Sequence, residues 1–91
     1  MATVRIPKVL QAQTGGQAEV EAGGATVGEV LRSLTSQHPD TEAQLFAEDG
    51  DLNRYVNVYL NDEDVRVLKG LETGVADGDT VVILPAMAGG R

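Results

Sequence analysis

The sequence contains no cysteine. That absence removes a disulfide framework, a thiolate metal site and an iron–sulfur cluster, and with the last it removes a ferredoxin-like electron carrier. Tryptophan is also absent, and the aromatics are one phenylalanine (Phe46) and two tyrosines (Tyr55, Tyr59), so the core must be aliphatic. A single histidine, His38, has no cysteine to join it in a structural metal site, and none is expected. Positive charge is scarce: seven Lys and Arg stand against fourteen Asp and Glu, a net charge of −7. A field of that sign repels phosphate backbones and anionic lipid, which argues against nucleic acid and membrane surfaces as partners. It steers the chain toward a basic docking surface instead. The opening Met1-Ala2-Thr3-Val4-Arg5-Ile6 lacks the long apolar stretch of a signal peptide, and no run approaches a membrane span. The expectation is a cytoplasmic protein.

What is present fits one small domain of 91 residues. Thr3-Val4-Arg5-Ile6 and Gln17–Ala22 alternate polar with apolar, as half-buried strands do, and Gln13-Thr14-Gly15-Gly16 between them is turn chemistry. Thr26 and Glu29 have the spacing of a helix capping box. Behind them Val27, Val30, Leu31 and Leu34 form one apolar stripe, and His38-Pro39 stops the helix. Residues 40–47 predict a short second helix, with Leu45 and Phe46 plugging one end of the core. Tyr55–Leu60 alternates strictly, with Val56, Val58 and Leu60 on one face and Tyr55, Asn57 and Tyr59 on the other. Asn61–Asp64 reads as a turn into a short strand, Val65-Arg66-Val67, and Lys69–Ala76 as an irregular connection. After the tight turn at Asp77-Gly78, Thr80-Val81-Val82-Ile83-Leu84 is apolar on both faces, as a strand central to its sheet is. The order β-β-α-β-β-β predicts an α+β fold, a mixed sheet of about five strands with one main helix on one face. Residues 1–85 make the domain, and 86–91 make a flexible tail with too little side chain to pack.

Self-contained catalytic chemistry is hard to find. Asp49-Gly50-Asp51-Leu52-Asn53 begins like a calcium loop, but Arg54 stands where glycine is needed and Leu60 where the bidentate glutamate belongs. It reads as a turn. Asp62-Glu63-Asp64 reads as solvated surface and not as paired catalytic carboxylates. Gly15-Gly16 and Gly23-Gly24 lack the lysine and the spacing of a phosphate loop.

The run Asp77-Gly78-Asp79-Thr80-Val81-Val82-Ile83-Leu84-Pro85-Ala86-Met87-Ala88-Gly89-Gly90 is different. It resembles the ThiS/MoaD family of ubiquitin-like sulfur carriers, whose signature is G-D-x-V, apolar residues, small residues and Gly-Gly. Tyr55–Arg66, Ile83–Gly90 and the opening Val4-Arg5-Ile6-Pro7 with Thr14-Gly15-Gly16 look like one branch of it, the CysO-type carriers that supply sulfur for cysteine synthesis. The resemblance covers essentially the whole chain and implies a β-grasp fold. It implies that the chain is not an enzyme but a co-substrate that binds no cofactor of its own. An adenylyltransferase like the ubiquitin-activating enzymes would use ATP to adenylate the carboxylate of Gly90, and sulfur would then convert it to a thiocarboxylate.

For acceptors the resemblance implies a biosynthetic enzyme, here a PLP-dependent cysteine synthase, with thiamin, molybdopterin and sulfur-containing natural products served by sister carriers. The residues expected to contact partners are Gly89, Ala88 and Met87 in the tail, with Leu84, Val82 and Tyr59 on the sheet face that a single helix leaves uncovered; the resemblance places a hydrophobic contact at Leu84. The competing arrangement is that the 69–76 connection covers this face. Arg91 departs from the pattern, because it locks the Gly90 carboxyl in an amide. Either a peptidase removes it, a metalloprotease in some family members, or it is an appended residue foreign to the natural chain. The rival function is a ubiquitin-like modifier joined to lysines through Gly90.

Overall fold

The computed structural model describes residues 1–85 of the chain. Strand β1 (Ala2–Arg5) and strand β2 (Glu19–Ala22) pair antiparallel, with Val4 opposite Val20. The hairpin loop between them is more ordered than its composition suggests, since Lys8–Thr14 coils into a 3-10 segment that buries Leu10 and Thr14. The Thr14 hydroxyl is tied to the carbonyls of Gln11 and Gln17, at 3.2 and 2.9 Å. A buried hydroxyl needs such partners.

Helix α1 (Val27–Gln37) begins where the capping signal places it. The Thr26 hydroxyl accepts the Glu29 amide at 3.2 Å, while the Glu29 carboxylate accepts the amide of Ala25, one residue further back than in the standard box. Its stripe Val27, Val30, Leu31 and Leu34 is wholly buried on the sheet, and His38 ends it ahead of Pro39. A 3-10 turn (Pro39–Thr41) leads into the short helix α2 (Glu42–Leu45), which delivers Leu45 and Phe46 to the core as expected.

Strand β3 (Val56–Leu60) buries Val56, Val58 and Leu60 and leaves Asn57 and Tyr59 half-buried on the other face. The next strand corrects the sequence reading. Strand β4 is Glu63–Asp64, two residues long, and not Val65–Val67. Asn61 and Asp62 both take positive φ (49° and 76°), the two-residue hairpin turn that puts pairing directly after it. Val65 is buried from the turn that follows, and Val67 stands 81% exposed.

Strand β5 (Thr80–Pro85) lies at the centre of a five-stranded sheet of order β2-β1-β5-β3-β4. It runs parallel to β1 and antiparallel to β3. Central placement is what its apolar content predicted, and the α+β, mixed-sheet expectation holds. One helix face and one sheet face enclose the aliphatic core.

Candidate functional site

The signature Asp77-Gly78-Asp79-Thr80-Val81 has a structural explanation. Gly78 sits at φ +86°, a conformation that costs glycine little, and so closes the turn into β5. The Asp79 carboxylate accepts the Ala76 amide at 2.8 Å, and its main-chain carbonyl accepts the Thr3 amide of β1 at 3.0 Å. Asn61, from the β3–β4 turn, accepts the Thr80 amide on its side-chain oxygen at 3.0 Å. The start of β5 is therefore stitched to both neighbours.

The Ala76 amide, and secondarily the Asn61 side chain, hold the Asp79 carboxyl below the usual carboxylate range. A carboxylate whose folded pKa is depressed contributes stability above its unfolded pKa of about 3.9, and loses it as pH falls through the folded value. Asp79→Asn should therefore lower the thermal midpoint at about pH 7, and the gap to wild type should narrow as pH falls below about 3.9 and close once it passes the lowered folded value. Paired thermal melts across this pH range check this. A gap that persists in acid would show that the carboxylate charge is not what the turn uses.

Alternation along β5 sorts its side chains. Val81 and Ile83 are buried under α1, while Val82 is half-buried and Leu84 is 44% exposed on the opposite face. Register brings Tyr59 opposite Val82, Asn57 opposite Leu84 and Arg5 beside Val82. The sequence-predicted residues Leu84, Val82 and Tyr59 thus share one apolar patch. Its flanks are polar, with Arg5 3.7 Å from Glu19 on one side and Asp64 across from Tyr59 on the other. The competing arrangement fails for the described residues. The 69–76 connection lies on the helix side, where the Val27 amide bonds the Thr73 carbonyl and the Val75 amide bonds that of Ala25, both at 2.9 Å. Leu71 and Val75 pack from there onto the core.

β5 carries the chain out of the fold beside this patch, with Pro85 opposite Val56. The other predicted site residues, Met87, Ala88, Gly89 and Gly90, together with Arg91 and the proposed tail 86–91, lie outside the described residues.

Other candidates behave as ordinary structure. The Asp49 carboxylate accepts the Asp51 amide at 3.0 Å and the Asp51 carboxylate the Leu52 amide at 2.8 Å, so both are spent on their own turn. A groove of about 490 Å³ beside α2 is lined by Pro39, Glu42, Ala43, Phe46, Ala47 and Glu48, which include no nucleophile and no histidine. Among the described residues, no helix is long and apolar enough to cross a membrane.

The ThiS family profile matches residues 4–90, from β1 to the second tail glycine. The chain belongs to the ThiS family. Its fold is the ubiquitin-like β-grasp, and its function is that of a sulfur carrier protein. It is 49% identical over 90 residues to the sulfur carrier protein CysO of Mycobacterium tuberculosis, a match covering 97% of each chain. Small archaeal modifier protein 3 of Haloferax volcanii is 44% identical over 66 residues, covering 72% of this chain and 71% of its own. Among solved structures, a chain in the crystal structure of the Amycolatopsis orientalis BexX/CysO complex superposes with a TM-score of 0.91 at 52% identity, covering 98% of this ThiS-family chain and 99% of that one.

Sequence reasoning missed one residue beside the exit of β5. The Arg66 guanidinium reaches back across the edge of β3, to the carbonyls of Val56 (2.8 Å) and Asn53 (2.9 Å) and to the side-chain oxygen of Asn57 (3.1 Å). Nothing in the spacing marks it, because the contact exists only where β4 stops short.

Proposed function

We propose that Gly90, once freed from Arg91, is the sulfur-bearing residue of this carrier. Its carboxylate attacks ATP on an activating enzyme, forming the acyl-adenylate and releasing pyrophosphate. Sulfide then displaces AMP and leaves a thiocarboxylate. A carboxylate is a poor electrophile, and the adenylate supplies the leaving group. The carrier needs no ATP site of its own, because the enzyme holds the nucleotide. Glycine presents a carbonyl unhindered by a Cβ and lets Gly89-Gly90 thread a narrow active site.

The observation that carries this reading is the ThiS family match, which runs to Gly90, together with the near full-length correspondence to CysO. It favours cysteine as the product and a PLP-dependent synthase in the cytoplasm as the acceptor. The A. orientalis CysO chain in complex with BexX supports a protein partner for this chain as well. The exposed patch of Leu84, Val82 and Tyr59 supplies a docking face beside the point where the tail leaves, and Met87 and Ala88 would line the threaded segment. A patch of this kind beside a functional tail fits an interaction site. A metallopeptidase would remove Arg91.

The similarity to an archaeal modifier protein keeps a second reading in play, conjugation of Gly90 to lysines. Both routes begin with the same adenylate, and intact mass separates them. With ATP, sulfide and the activating enzyme, a carrier yields a thiocarboxylate and a modifier yields lysine conjugates. Deletion of Gly90 should abolish loading while leaving the thermal midpoint in place, since residues 1–85 already supply a closed aliphatic core. Lysine conjugates without thiocarboxylate would overturn the sulfur-carrier reading.

A further inference from the structure

Among the described residues, the exit of β5 is held from one side only. Its pairing with β1 stops at Val82, opposite Arg5, whereas its pairing with β3 continues through Leu84 to Pro85. The last residues of the strand therefore depend on β3 alone.

β3 is itself poorly supported at that level. β4 pairs only with Tyr59 and Leu60, at the far end of the strand. One more bond, from the Val65 amide to the Val58 carbonyl at 2.9 Å, extends this support. Then the main chain curls away into tight turns, with the Val67 amide on the Asp64 carbonyl and the Leu68 amide on that of Val65, each at 3.0 Å. The Val56 carbonyl, directly across from Pro85, is left on a bare edge. A two-stranded ribbon by itself is marginal in water.

The Arg66 guanidinium occupies that edge. One nitrogen, Nη1, donates to the Val56 carbonyl and the Asn57 side chain, and the other, Nη2, donates to the Asn53 carbonyl. The side chain is aimed from behind, since the Asp64 carboxylate accepts the Arg66 amide at 2.9 Å and fixes the turn. A rigid planar fork with charge-assisted donors does here what a third strand would do.

We infer that Arg66 is a positioning residue, which holds the end of β5 in place by clamping the β3 segment that pairs with Pro85. The inference rests on the sulfur-carrier reading for its consequence, not for its geometry. An exit held in place leaves the chain ready to be engaged by the activating enzyme in most molecules. A loosened exit lowers that fraction, and the apparent affinity falls in proportion while the chemistry of the bound complex is unchanged.

The experiment compares wild type, Arg66→Lys and Arg66→Ala, each ending at Gly90. Amide hydrogen exchange at Asn57 and Leu84 is read against Val4 and Val20 in the β1–β2 pair. Sulfur loading by the activating enzyme is measured in parallel. Arg66→Ala should bring exchange at Asn57 and Leu84 close to the unprotected rate, with Val4 and Val20 unmoved. With the exit open in about nine molecules in ten, its KM for loading should rise about ten-fold at constant kcat. Lysine keeps the charge without the fork, so Arg66→Lys should fall between. It also serves as the test variant if Arg66→Ala does not fold.

A raised KM with unchanged exchange would mean that Arg66 touches the enzyme directly, which overturns the clamp. Faster exchange at all four amides would make Arg66 a general stability residue and overturn it equally. Local loosening with an unchanged KM would refute the positioning role. A wild-type chain that is never loaded would refute the sulfur-carrier reading, and with it the positioning role, while the exchange pattern would still decide the clamp.

Discussion

Given ATP, sulfide and an activating enzyme, the chain cut to end at Gly90 should gain the mass difference between sulfur and oxygen, and the chain retaining Arg91 should stay at its starting mass. The difference is expected to be all-or-none, because it concerns which atom is present and not how tightly anything binds. Adenylation requires a carboxylate oxygen as nucleophile. In the uncut chain the Gly90 carbonyl carbon is bonded to the Arg91 nitrogen, which leaves a planar, resonance-stabilised amide. Docking through the Leu84 face would be intact in both forms, so the uncut chain should compete with the cut one for enzyme while never being loaded. Intact mass spectrometry after a single incubation reads the outcome. An adenylate or thiocarboxylate found with Arg91 still attached would show that the activated carboxyl lies elsewhere.

Leu84→Asp should weaken binding to the activating enzyme by about 2 kcal/mol or more, the range of a desolvated hot spot. The same change should cost the free carrier little. Leu84 is 44% exposed in a strand whose alternate residues, Val81 and Ile83, carry the packing under the helix. A polar residue on the solvent face of a sheet costs at most about 1 kcal/mol of strand preference. In the complex, by contrast, the carboxylate would be desolvated among Val82, Tyr59 and the partner, which is expensive. Calorimetric titration of enzyme with carrier, paired with melting of the carrier alone, gives both numbers. A variant that unfolds early yet binds normally per folded molecule would make Leu84 a core residue and move the docking face elsewhere.

The legible parts of this molecule were those where one periodicity had one cause. The stripe Val27, Val30, Leu31, Leu34 has no place to go but a sheet, and all four are fully buried there. The alternation of β3 and the two apolar faces of β5 likewise gave the sheet centre and the patch of Leu84, Val82 and Tyr59. The errors fell where a local preference competes with the geometry of a neighbour. Val65-Arg66-Val67 has strand propensity, but the two positive-φ residues Asn61 and Asp62 close a hairpin so tight that pairing is complete by Asp64. The ordered segment Lys8–Thr14 has no period to read, and its stability comes from a buried threonine tied to two carbonyls. Arg66 was hidden for a related reason, since an arginine that replaces a strand looks like any surface arginine until the missing strand is seen.

The parallel pair of β1 and β5 joins Thr3 to Thr80, almost the full span of the described chain. Neither the β1–β2 hairpin nor the β3–β4 hairpin belongs to a common sheet until β5 is inserted between them. Closing so long a loop before any reward places folding toward the slow end of small domains. During synthesis, this makes the order of events strict. The strand that emerges after all the others is both the keystone of the sheet and the stem of the glycine tail. An assembled patch of Leu84, Val82 and Tyr59 at the end of β5 is therefore a certificate of completed folding. An enzyme that docked there would spend ATP only on finished molecules.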